Sequence, residues 1–383
     1  MLSDPNRREF LHLSASGALL SALACKADPA PDNAVGEWRN RRPGMSYRRL
    51  GRTDFMISEI ICGGNTISPT NYDHVITAFE LGLNYFDTAI QYGRGKSEAG
   101  YAQALKAVGR DNVFLTSKAS PWLDDRNDAL QKVYESLPDS EKKKIDDAVR
   151  EKIEERHALD EDYLCNYFDS QRAQVEKSVR ANLVEERFGD KVQRPKKLKQ
   201  AMIDHVEDSL RRLETDHLDI VMCPHAASTY AETQSHELFE GFEQLKQAGK
   251  VRHLGVSAHN DPAAVLEGAV DSGVYSAAMV AYNIVNKDYL QSALTKASKA
   301  DLGVIAMKVA RPVNHGRNNG KPNDPRRVAM IEQHNPTEGL HVAQKCYLWA
   351  LEDYRIAACN SEMINLELVE QNVPLAFKKS LGA

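Results

Sequence analysis

Short apolar runs alternate with longer amphipathic stretches along most of this chain. The runs are SEIICGG, LNYFDTA, NVFLTSK, HLDIVMC, RHLGVSA, SAAMVAYN, LGVIAMK and YRIAAC. Between them lie stretches such as NYDHVITAFELG and SHELFEGFEQLKQAGK, whose apolar residues recur at the period of a helix. Strands that alternate with helices in this way predict parallel strands joined by helical crossovers.

Two α/β architectures fit this alternation, a (β/α)8 barrel and an open doubly wound sheet. No GxGxxG follows the first predicted strand, which counts against a dinucleotide-binding open sheet. The number of apolar runs is eight, which is the number of strands in a (β/α)8 barrel and so favours that architecture. Ahead of the first strand, SYRRLGRTDFMIS has two short alternating arms around Gly51, which predicts a β-hairpin. The sequence therefore predicts a (β/α)8 TIM barrel with an N-terminal β-hairpin.

One connection is much longer than a barrel loop usually is. It follows the third predicted strand and covers residues of about 122–197. Within it, Ile145, Val149 and Ile153 recur every fourth residue among charged residues, which predicts a helical insertion. Because it leaves the C-terminal end of a strand, the insertion is expected to lie at the barrel mouth. Its aromatic residues either pack internally or form a lid over a substrate; they are Tyr163, Tyr167 and Phe168.

The N-terminal residues 1–27 have the features of a twin-arginine signal peptide. Arg7 and Arg8 precede a small-residue apolar stretch that is too short to span a bilayer as a stable helix. The predicted location is the periplasm, or the membrane if the lipobox-like ALAC makes Cys25 a lipid anchor. The alternative is a chance Arg-Arg pair before an ordinary helix. Residues 28–45 are rich in Pro, Asp and Arg and predict a linker, so that the barrel would occupy residues 46–383.

Composition narrows the classes of function. Of the 383 residues 42% are apolar and 27% charged, which is typical of a globular protein with a large core. The net charge of −5 gives no basic surface for nucleic acid. Six cysteines occur without CxxC or His-spaced pairs, so that neither a zinc site nor an iron–sulfur cluster is expected.

Four polar residues follow the second, third and fourth predicted strands: Asp87, Tyr92, Lys118 and His225. The C-terminal ends of barrel strands meet at one mouth. Asp87 would keep a buried Lys118 charged, and that cation is expected to lower the pKa of Tyr92 toward neutrality. Tyr92 would then be a usable general acid, while His225 could hold a carbonyl oxygen. Reduction of a carbonyl also needs a hydride, which implies a nicotinamide cofactor.

Four stretches resemble, in order, signature segments of the aldo-keto reductase family: GLNYFDTAIQYGRGKSE, VFLTSK, SLRRLETDHLDIVMCPH and GKVRHLGVSAHN. The resemblance runs from about Ser46 to Lys378, interrupted by the insertion. It implies NAD(P)H across the C-terminal mouth and a small carbonyl or sugar substrate. It also implies that Tyr92 donates the proton, Lys118 and Asp87 tune it, and His225 orients the carbonyl. The alternative for Asp87 and Lys118 is an ion pair that only closes the barrel.

The resemblance further implies a set of cofactor-binding residues: Gly64, Asn65, Ser257, Met307, Lys308, Gln371 and Asn372. Several positions depart from the family. Ala258 and Met279 replace the usual amide-binding asparagine and glutamine, and Met307 replaces a stacking aromatic residue. Glu362 and Leu368 stand where Lys and Arg usually hold the 2′-phosphate. An acid there repels phosphate, so the cofactor is expected to be NAD(H) or NADP(H) with a leaning toward NAD(H).

Two functions remain at this point. One is an NAD(P)H-dependent oxidoreductase that converts a carbonyl into an alcohol, or the reverse. The other is a low-turnover nucleotide-binding or sensing module on the same barrel, which the lost amide and phosphate contacts would suit. The intact FDTAIQYG stretch favours the enzyme, because a binding module has no need of Tyr92.

Overall fold

Eight parallel strands close into a barrel in chain order. The computed structural model describes residues 36–161, 163–165, 167–193, 197–314 and 324–380. The barrel strands are β4 (Ile60–Gly63), β5 (Tyr85–Asp87), β6 (Phe114–Lys118), β7 (Leu218–Met222), β8 (Val251–Ala258), β9 (Ala277–Ala281), β10 (Gly303–Met307) and β11 (Ile356–Ser361). β11 pairs with β4 to close the ring. The eight predicted strands and the predicted (β/α)8 barrel are confirmed.

Helices surround the barrel and connect its strands. They are α1 (Asp73–Glu80), α2 (Lys96–Val108), α3 (Pro121–Ser136), α4 (Asp139–Glu155), α5 (Gln171–Phe188), α6 (Leu198–Leu213), α7 (His236–Gln247), α8 (Pro262–Ser272), α9 (Lys287–Lys299), α10 (Pro325–His334), α11 (Val342–Glu352) and α12 (Leu366–Asn372). In the described part of the chain, no helix is both long and apolar enough to cross a membrane.

The strands are apolar on both faces because each face is covered. Successive side chains of a strand point to opposite faces. One set fills the inside of the barrel, for example Tyr85, Phe114, Ile220 and Met279. The alternate set, which includes Phe86, packs against the helices. Near the mouth, the inward positions change from apolar to polar, which places Asp87 and Lys118 at the C-terminal ends of their strands.

A small sheet adjoins the N-terminal part of the barrel. β2 (Tyr47–Arg49) and β3 (Phe55–Ser58) form the predicted hairpin, with Tyr47 opposite Ser58. Phe55 stacks on Phe114 of β6 at a ring separation of 4.3 Å. This contact joins the hairpin to the residues that fill the barrel.

The predicted linker extends too far toward the C-terminus. Residues 37–38 form β1 (Glu37–Trp38), which pairs in parallel with β3. Glu37 accepts from Arg252 at 2.5 Å, and Arg39 donates to Asp219 at 3.2 Å. The charged residues that suggest a solvated linker therefore bind partners on the barrel. Residues 1–35, with the predicted signal peptide and Cys25, lie outside the described residues, and their role stays a prediction.

Between β6 and α6, the described residues of the insertion form the α-helices α3, α4 and α5. They pack around an apolar cluster of their own, which includes Leu130, Ile145, Val149 and Val184. The spacing of Ile145 and Val149 in the sequence thus corresponds to the buried face of α4.

Candidate active site

Asp87 and Lys118 form a buried ion pair at the barrel mouth. The Nζ atom of Lys118 donates to Oδ1 of Asp87 at 2.5 Å and to the carbonyl oxygen of Thr88 at 2.8 Å. Both side chains are 1% exposed. Burial alone would lower the pKa of Lys118, but the Asp87 carboxylate and the Tyr92 phenol raise it above its usual value. Lys118 is therefore a fixed cation inside the mouth.

Tyr92 lies beside this cation. It sits in the turn between β5 and α2, and Nζ of Lys118 is 4.7 Å from the centre of its ring. Its backbone N–H donates to the carbonyl oxygen of Ala89 at 3.1 Å, and its own carbonyl accepts from the N–H of Ser97 at 3.2 Å. These contacts hold the turn, so that the phenol stays over the end of β6.

The pKa of Tyr92 moves opposite to the sequence expectation. Burial raises it above its usual value, and the charge of Lys118 offsets that rise only in part. Asp87 adds to the rise, because the negative charge that holds Lys118 also opposes a phenolate. The expectation of a pKa near neutrality is therefore wrong. A phenol that keeps its proton at neutral pH remains available as a proton donor.

His225 follows β7, the strand that pairs with β6 at Lys118. Its ring is 6.4 Å from the Tyr92 ring, at an interplanar angle of 89°. Burial lowers its pKa well below the usual range, and the positive charge of Lys118 lowers it further, so the imidazole is neutral. Nδ1 lies 2.9 Å from Oγ of Ser120. If the Ser120 hydroxyl donates there, the proton of the neutral ring is on Nε2, which is then a hydrogen-bond donor.

Ser120 and Asn360 are site residues that the sequence analysis missed. Nδ2 of Asn360 donates to Oδ2 of Asp87 at 3.0 Å and also contacts the Met279 sulfur at 3.4 Å. Asn360 is among the groups that counter the burial-driven rise in the pKa of Asp87. A signal existed in both cases, since Ser120 follows Lys118 by two residues and Asn360 is a lone amide in an apolar strand.

Ser257 supplies a test of whether the mouth fits a nicotinamide cofactor. It lies on β8 opposite Met279 of β9, and it is fully buried. Its hydroxyl has no hydrogen-bond partner among the described residues. A buried hydroxyl without a partner costs free energy unless a ligand satisfies it. The cofactor carboxamide is a ligand of the right chemistry, so Ser257 fits the implied group. Met279 cannot replace the usual amide, because its side chain offers only a weak acceptor.

Gly64 and Asn65 follow β4 at the rim. A Cβ atom on Gly64 would lie 2.4 Å from the carbonyl oxygen of Asp87, so the absence of a side chain there is required by packing. Nδ2 of Asn65 donates to Oε1 of Glu362 at 2.9 Å. Asn65 and Glu362 therefore lie side by side at the ends of β4 and β11.

Lys308 follows β10, and its charge contributes to the lowered pKa values of His225 and His259. Its φ of 59° lies in the left-handed region, which is uncommon for a residue with a side chain. Burial lowers its pKa, the charge of Arg311 lowers it further, and Glu362 opposes the change. Met307, just before it, is 7% exposed and belongs to the interior of the barrel.

Two of the predicted cofactor-binding residues, Gln371 and Asn372, lie at the end of α12. Asn372 is buried and donates to Oγ of Ser361 at 3.1 Å. Gln371 is exposed and bonds Glu367 one turn earlier at 3.1 Å. In the structure, Asn372 thus ties α12 to β11, whereas the Gln371 side chain lies on the surface.

The aromatic residues of the insertion divide into two groups. Tyr163 and Tyr167 are buried and bond barrel loops: Tyr163 donates to Asp261 at 2.8 Å, and the Tyr167 hydroxyl accepts from Asn283 at 2.7 Å. Phe168 is only half-buried, and its ring lies 5.5 Å from that of His259. Two of the three therefore anchor the insertion, and Phe168 lies next to the site.

Comparison with known proteins assigns the family. A sequence model of the aldo/keto reductase family matches residues 59–375. The aldo-keto reductase AMT2 of Alternaria alternata is 24% identical over 329 residues, which cover 79% of this chain and 76% of that protein. The oxidoreductase YqkF of Bacillus subtilis is 24% identical over 218 residues, and the match spans 56% of this chain but only 49% of YqkF.

Solved structures show the same fold. The aldo-keto reductase of Klebsiella pneumoniae in complex with NADPH superposes with a TM-score of 0.54 at 20% identity, covering 87% of this chain and 89% of that one. The holo form of AKR11C1 from Bacillus halodurans gives a TM-score of 0.56 at 18% identity, covering 88% and 91%. Because the family match spans most of the barrel, this chain belongs to the aldo/keto reductase family and is an NAD(P)-dependent oxidoreductase.

Proposed function

We propose that this protein reduces a carbonyl group to an alcohol, or runs the reverse reaction, with Tyr92 as the general acid. The observation that carries the proposal is the placement of the Lys118 ammonium 4.7 Å from the centre of the Tyr92 ring, inside a barrel mouth. A cation at this place stabilises the phenolate that forms when Tyr92 gives up its proton. A binding module has no use for that arrangement.

The chain's own groups would handle the proton and orient the substrate. Tyr92 gives its hydroxyl proton to the carbonyl oxygen as negative charge develops there. The neutral His225 donates a hydrogen bond to the same oxygen from Nε2 and so fixes the direction of the carbonyl. Lys118 keeps its charge throughout because Asp87 is bonded to it at 2.5 Å.

The hydride would come from the nicotinamide cofactor when it is bound. Ser257 would hold the carboxamide through its unpartnered hydroxyl. Asn65, Lys308 and Glu362 lie at the rim over which the rest of the nucleotide would extend. A test of the proposed function is the oxidation of NADH or NADPH by the purified protein with a panel of small aldehydes and ketones. Absence of turnover with every carbonyl would support the sensing module instead.

Ser120 is expected to set the tautomer of His225. In Ser120→Ala, either nitrogen of the neutral imidazole can carry the proton, so that fewer molecules present Nε2–H to the carbonyl. We expect kcat for carbonyl reduction to fall by about five- to tenfold, which corresponds to one hydrogen bond of about 1 kcal/mol. Steady-state kinetics measure this effect.

Ser120→Thr keeps the hydroxyl and is expected to restore most of the rate. Nucleotide affinity and thermal stability should stay close to those of the wild type in both variants. If Ser120→Ala lost as much free energy of unfolding as it lost in stabilisation of the transition state, Ser120 would only support the structure.

NAD(H) is expected to bind at least as tightly as NADP(H). A 2′-phosphate carries close to two negative charges and needs cationic partners. Glu362 is an acid, and its Oε1 already accepts from Asn65 at 2.9 Å at the rim. Leu368, on α12, brings no charge to the other position. Titration of the protein with each reduced nucleotide, followed by quenching of protein fluorescence, measures the two dissociation constants.

Leu368→Arg should shift the preference toward NADP(H), and Leu368→Met is the matched uncharged control. A wild-type preference for NADP(H) of tenfold or more, about 1.4 kcal/mol, would contradict the assignment of these two positions.

A further inference from the structure

A hydrogen bond from β11 reaches Asp87 across the strand that lies between them. β4 pairs with β11 on one side and with β5 on the other, and Gly63 of β4 stands opposite Asp87 of β5. The side chain of Asn360 on β11 lies against Gly63, and its Nδ2 donates to Oδ2 of Asp87 at 3.0 Å. The bond therefore joins two strands of the barrel that are not neighbours.

Gly63 leaves the room that this amide needs. A Cβ atom on Gly63 would lie 2.4 Å from Oδ1 of Asn360, which is closer than side chains approach. The other close contact of that Cβ atom, with the carbonyl oxygen of Ser361 at 3.3 Å, is much milder. The φ angle of Gly63 is outside the left-handed region, so its backbone does not require a glycine. The missing side chain at this position thus accommodates the Asn360 amide.

The Asn360 amide and the Asp87 carboxylate hold each other in one orientation. A carboxylate only accepts, so the nitrogen of the amide must face Asp87. The second proton of that nitrogen is available to the Met279 sulfur, which lies 3.4 Å from Nδ2. Asp87 uses both of its oxygens, since Oδ1 accepts from Lys118 at 2.5 Å while Oδ2 accepts from Asn360. The carboxylate is thereby fixed with one oxygen on the cation.

We propose that Asn360 is a positioning residue for the proposed reaction. Its amide, seated over Gly63, holds the Asp87 carboxylate in the orientation that binds Lys118 and so keeps that cation beside Tyr92. The inference rests on the proposed function, because the rate it affects is that of proton donation by Tyr92. Asn360 acts through Asp87 and takes no part in the proton transfer.

The amide matters because Asp87 is fully buried. Burial raises the pKa of Asp87, and Lys118 and Asn360 both oppose the rise. The other titratable groups that interact with this carboxylate are three phenols and a thiol, and burial raises the pKa of each of them: Tyr85, Tyr92, Tyr101 and Cys62. They are therefore neutral at neutral pH and bring no charge that could replace the amide. Without Asn360, Asp87 would take up a proton at a higher pH and would then hold Lys118 less firmly.

Asn360→Leu keeps a side chain of similar size and removes the donor. We expect the pH at which Asp87 titrates to move upward by about one unit or more, as for the loss of one hydrogen bond to a charged group. Carbon NMR of the full chain, labelled with ¹³C at the aspartate carboxyl groups, measures this titration without any turnover. The Asp87 signal is assigned by its absence from Asp87→Glu.

The rate of carbonyl reduction should follow the same titration. In Asn360→Leu the fall of kcat on the acid side should begin about one pH unit higher than in the wild type. The dissociation constant of the nucleotide should stay within about twofold, because the amide acts on Asp87.

Gly63→Ala is an independent route to the same effect, since its Cβ atom displaces the amide without changing Asn360. It should reproduce both shifts, and it answers the question if Asn360→Leu does not fold. Asn182→Leu is the matched control. It removes another half-buried amide, whose Nδ2 donates to Thr229 at 2.6 Å between the insertion and the loop after β7. It should leave the Asp87 titration and the pH profile unchanged.

The outcomes separate this inference from the proposed function. An Asp87 titration that stays in place or moves downward in both variants would overturn it, because Lys118 alone would then hold the carboxylate. A shifted titration with an unchanged pH profile in an active enzyme would also overturn it and make the bond purely structural. If the titration shifts in a protein that reduces no carbonyl, the hold of Asn360 on Asp87 is supported and the proposed function fails.

Discussion

Tyr92→Phe is expected to lower kcat for carbonyl reduction by about a thousandfold. The substitution removes a single oxygen atom and the proton that it carries, while the ring stays beside Lys118. A positioned general acid contributes about 10²- to 10⁴-fold to a rate, so the expected loss is about 4 kcal/mol in the barrier. Single-turnover kinetics with saturating nucleotide measure the effect on the chemical step.

The affinity for the nucleotide should stay within about twofold in the same variant, because Tyr92 would meet the carbonyl and not the cofactor. Tyr47→Phe is the matched control, since it removes a phenol hydroxyl on β2 that lies 3.0 Å from the carbonyl oxygens of Asn40 and Gly82. It should retain the wild-type kcat. Equal losses of nucleotide affinity and of kcat in Tyr92→Phe would make this tyrosine a structural residue.

The pH profile follows from the direction of the Tyr92 pKa. Burial raises this pKa above its usual value, so the phenol stays protonated through neutral pH. The rate of reduction should therefore be flat from about pH 6 to about pH 9 and fall only as the phenol ionises, at or above its ordinary pKa of about 10. A fall that begins near neutrality would mean that Lys118 outweighs burial.

The barrel and the approximate site were predictable because both depend on local patterns. Eight apolar runs are continuous because their strands are covered on both faces, and this shows directly in the sequence. Asp87 and Lys118 are visible because each is a charge at the end of such a run. In a parallel barrel the ends of all strands meet, so position along the chain is enough to bring them together.

The features that the sequence analysis missed depend on contacts between residues that are far apart in the sequence. Arg39 looks solvated in the sequence, but it bonds Asp219 across 180 positions of the chain. Asn360 is an ordinary amide until β11 closes against β4 and brings it to Asp87. The direction of the Tyr92 pKa shift could not be predicted without knowing how deeply the phenol is buried. The sequence already identified Lys118, the cation that lowers this pKa, but not the burial that raises it. Pairwise reasoning from sequence identifies charges but does not weigh desolvation against them.

Asp219 is the clearest case of a residue whose role only the structure reveals. It is fully buried on β7, and its carboxylate accepts from three guanidinium groups: Arg110 at 2.8 Å, Arg252 at 2.8 Å and Arg39 at 3.1 Å. The backbone N–H of Leu115 also donates to it at 2.9 Å. Although burial raises the pKa of Asp219, the charges of Arg110 and Arg39 lower it below its usual value.

Asp219→Asn is therefore expected to lower the free energy of unfolding by about 3–5 kcal/mol. It removes the buried carboxylate that all three arginines share and leaves only the partly exposed Glu37, which pairs with Arg39 and Arg252. Because the folded pKa is depressed, the stabilisation is present in full above the unfolded value of about 4 and is lost as the pH falls through the folded pKa. The difference between wild type and variant should be constant from about pH 5 upward and narrow below about pH 4. Denaturant unfolding across this pH range measures it.

Asp216→Asn is the matched control, since it removes a carboxylate three residues away whose side chain is 92% exposed and bonds only the adjacent His217 among the described ion pairs. It should change the free energy of unfolding by less than about 1 kcal/mol. If Asp219→Asn is as stable as Asp216→Asn, water stabilises the arginines around residue 219 as well as the Asp219 carboxylate does. The ion cluster that joins β1, β7 and β8 would then contribute specificity of folding and little stability.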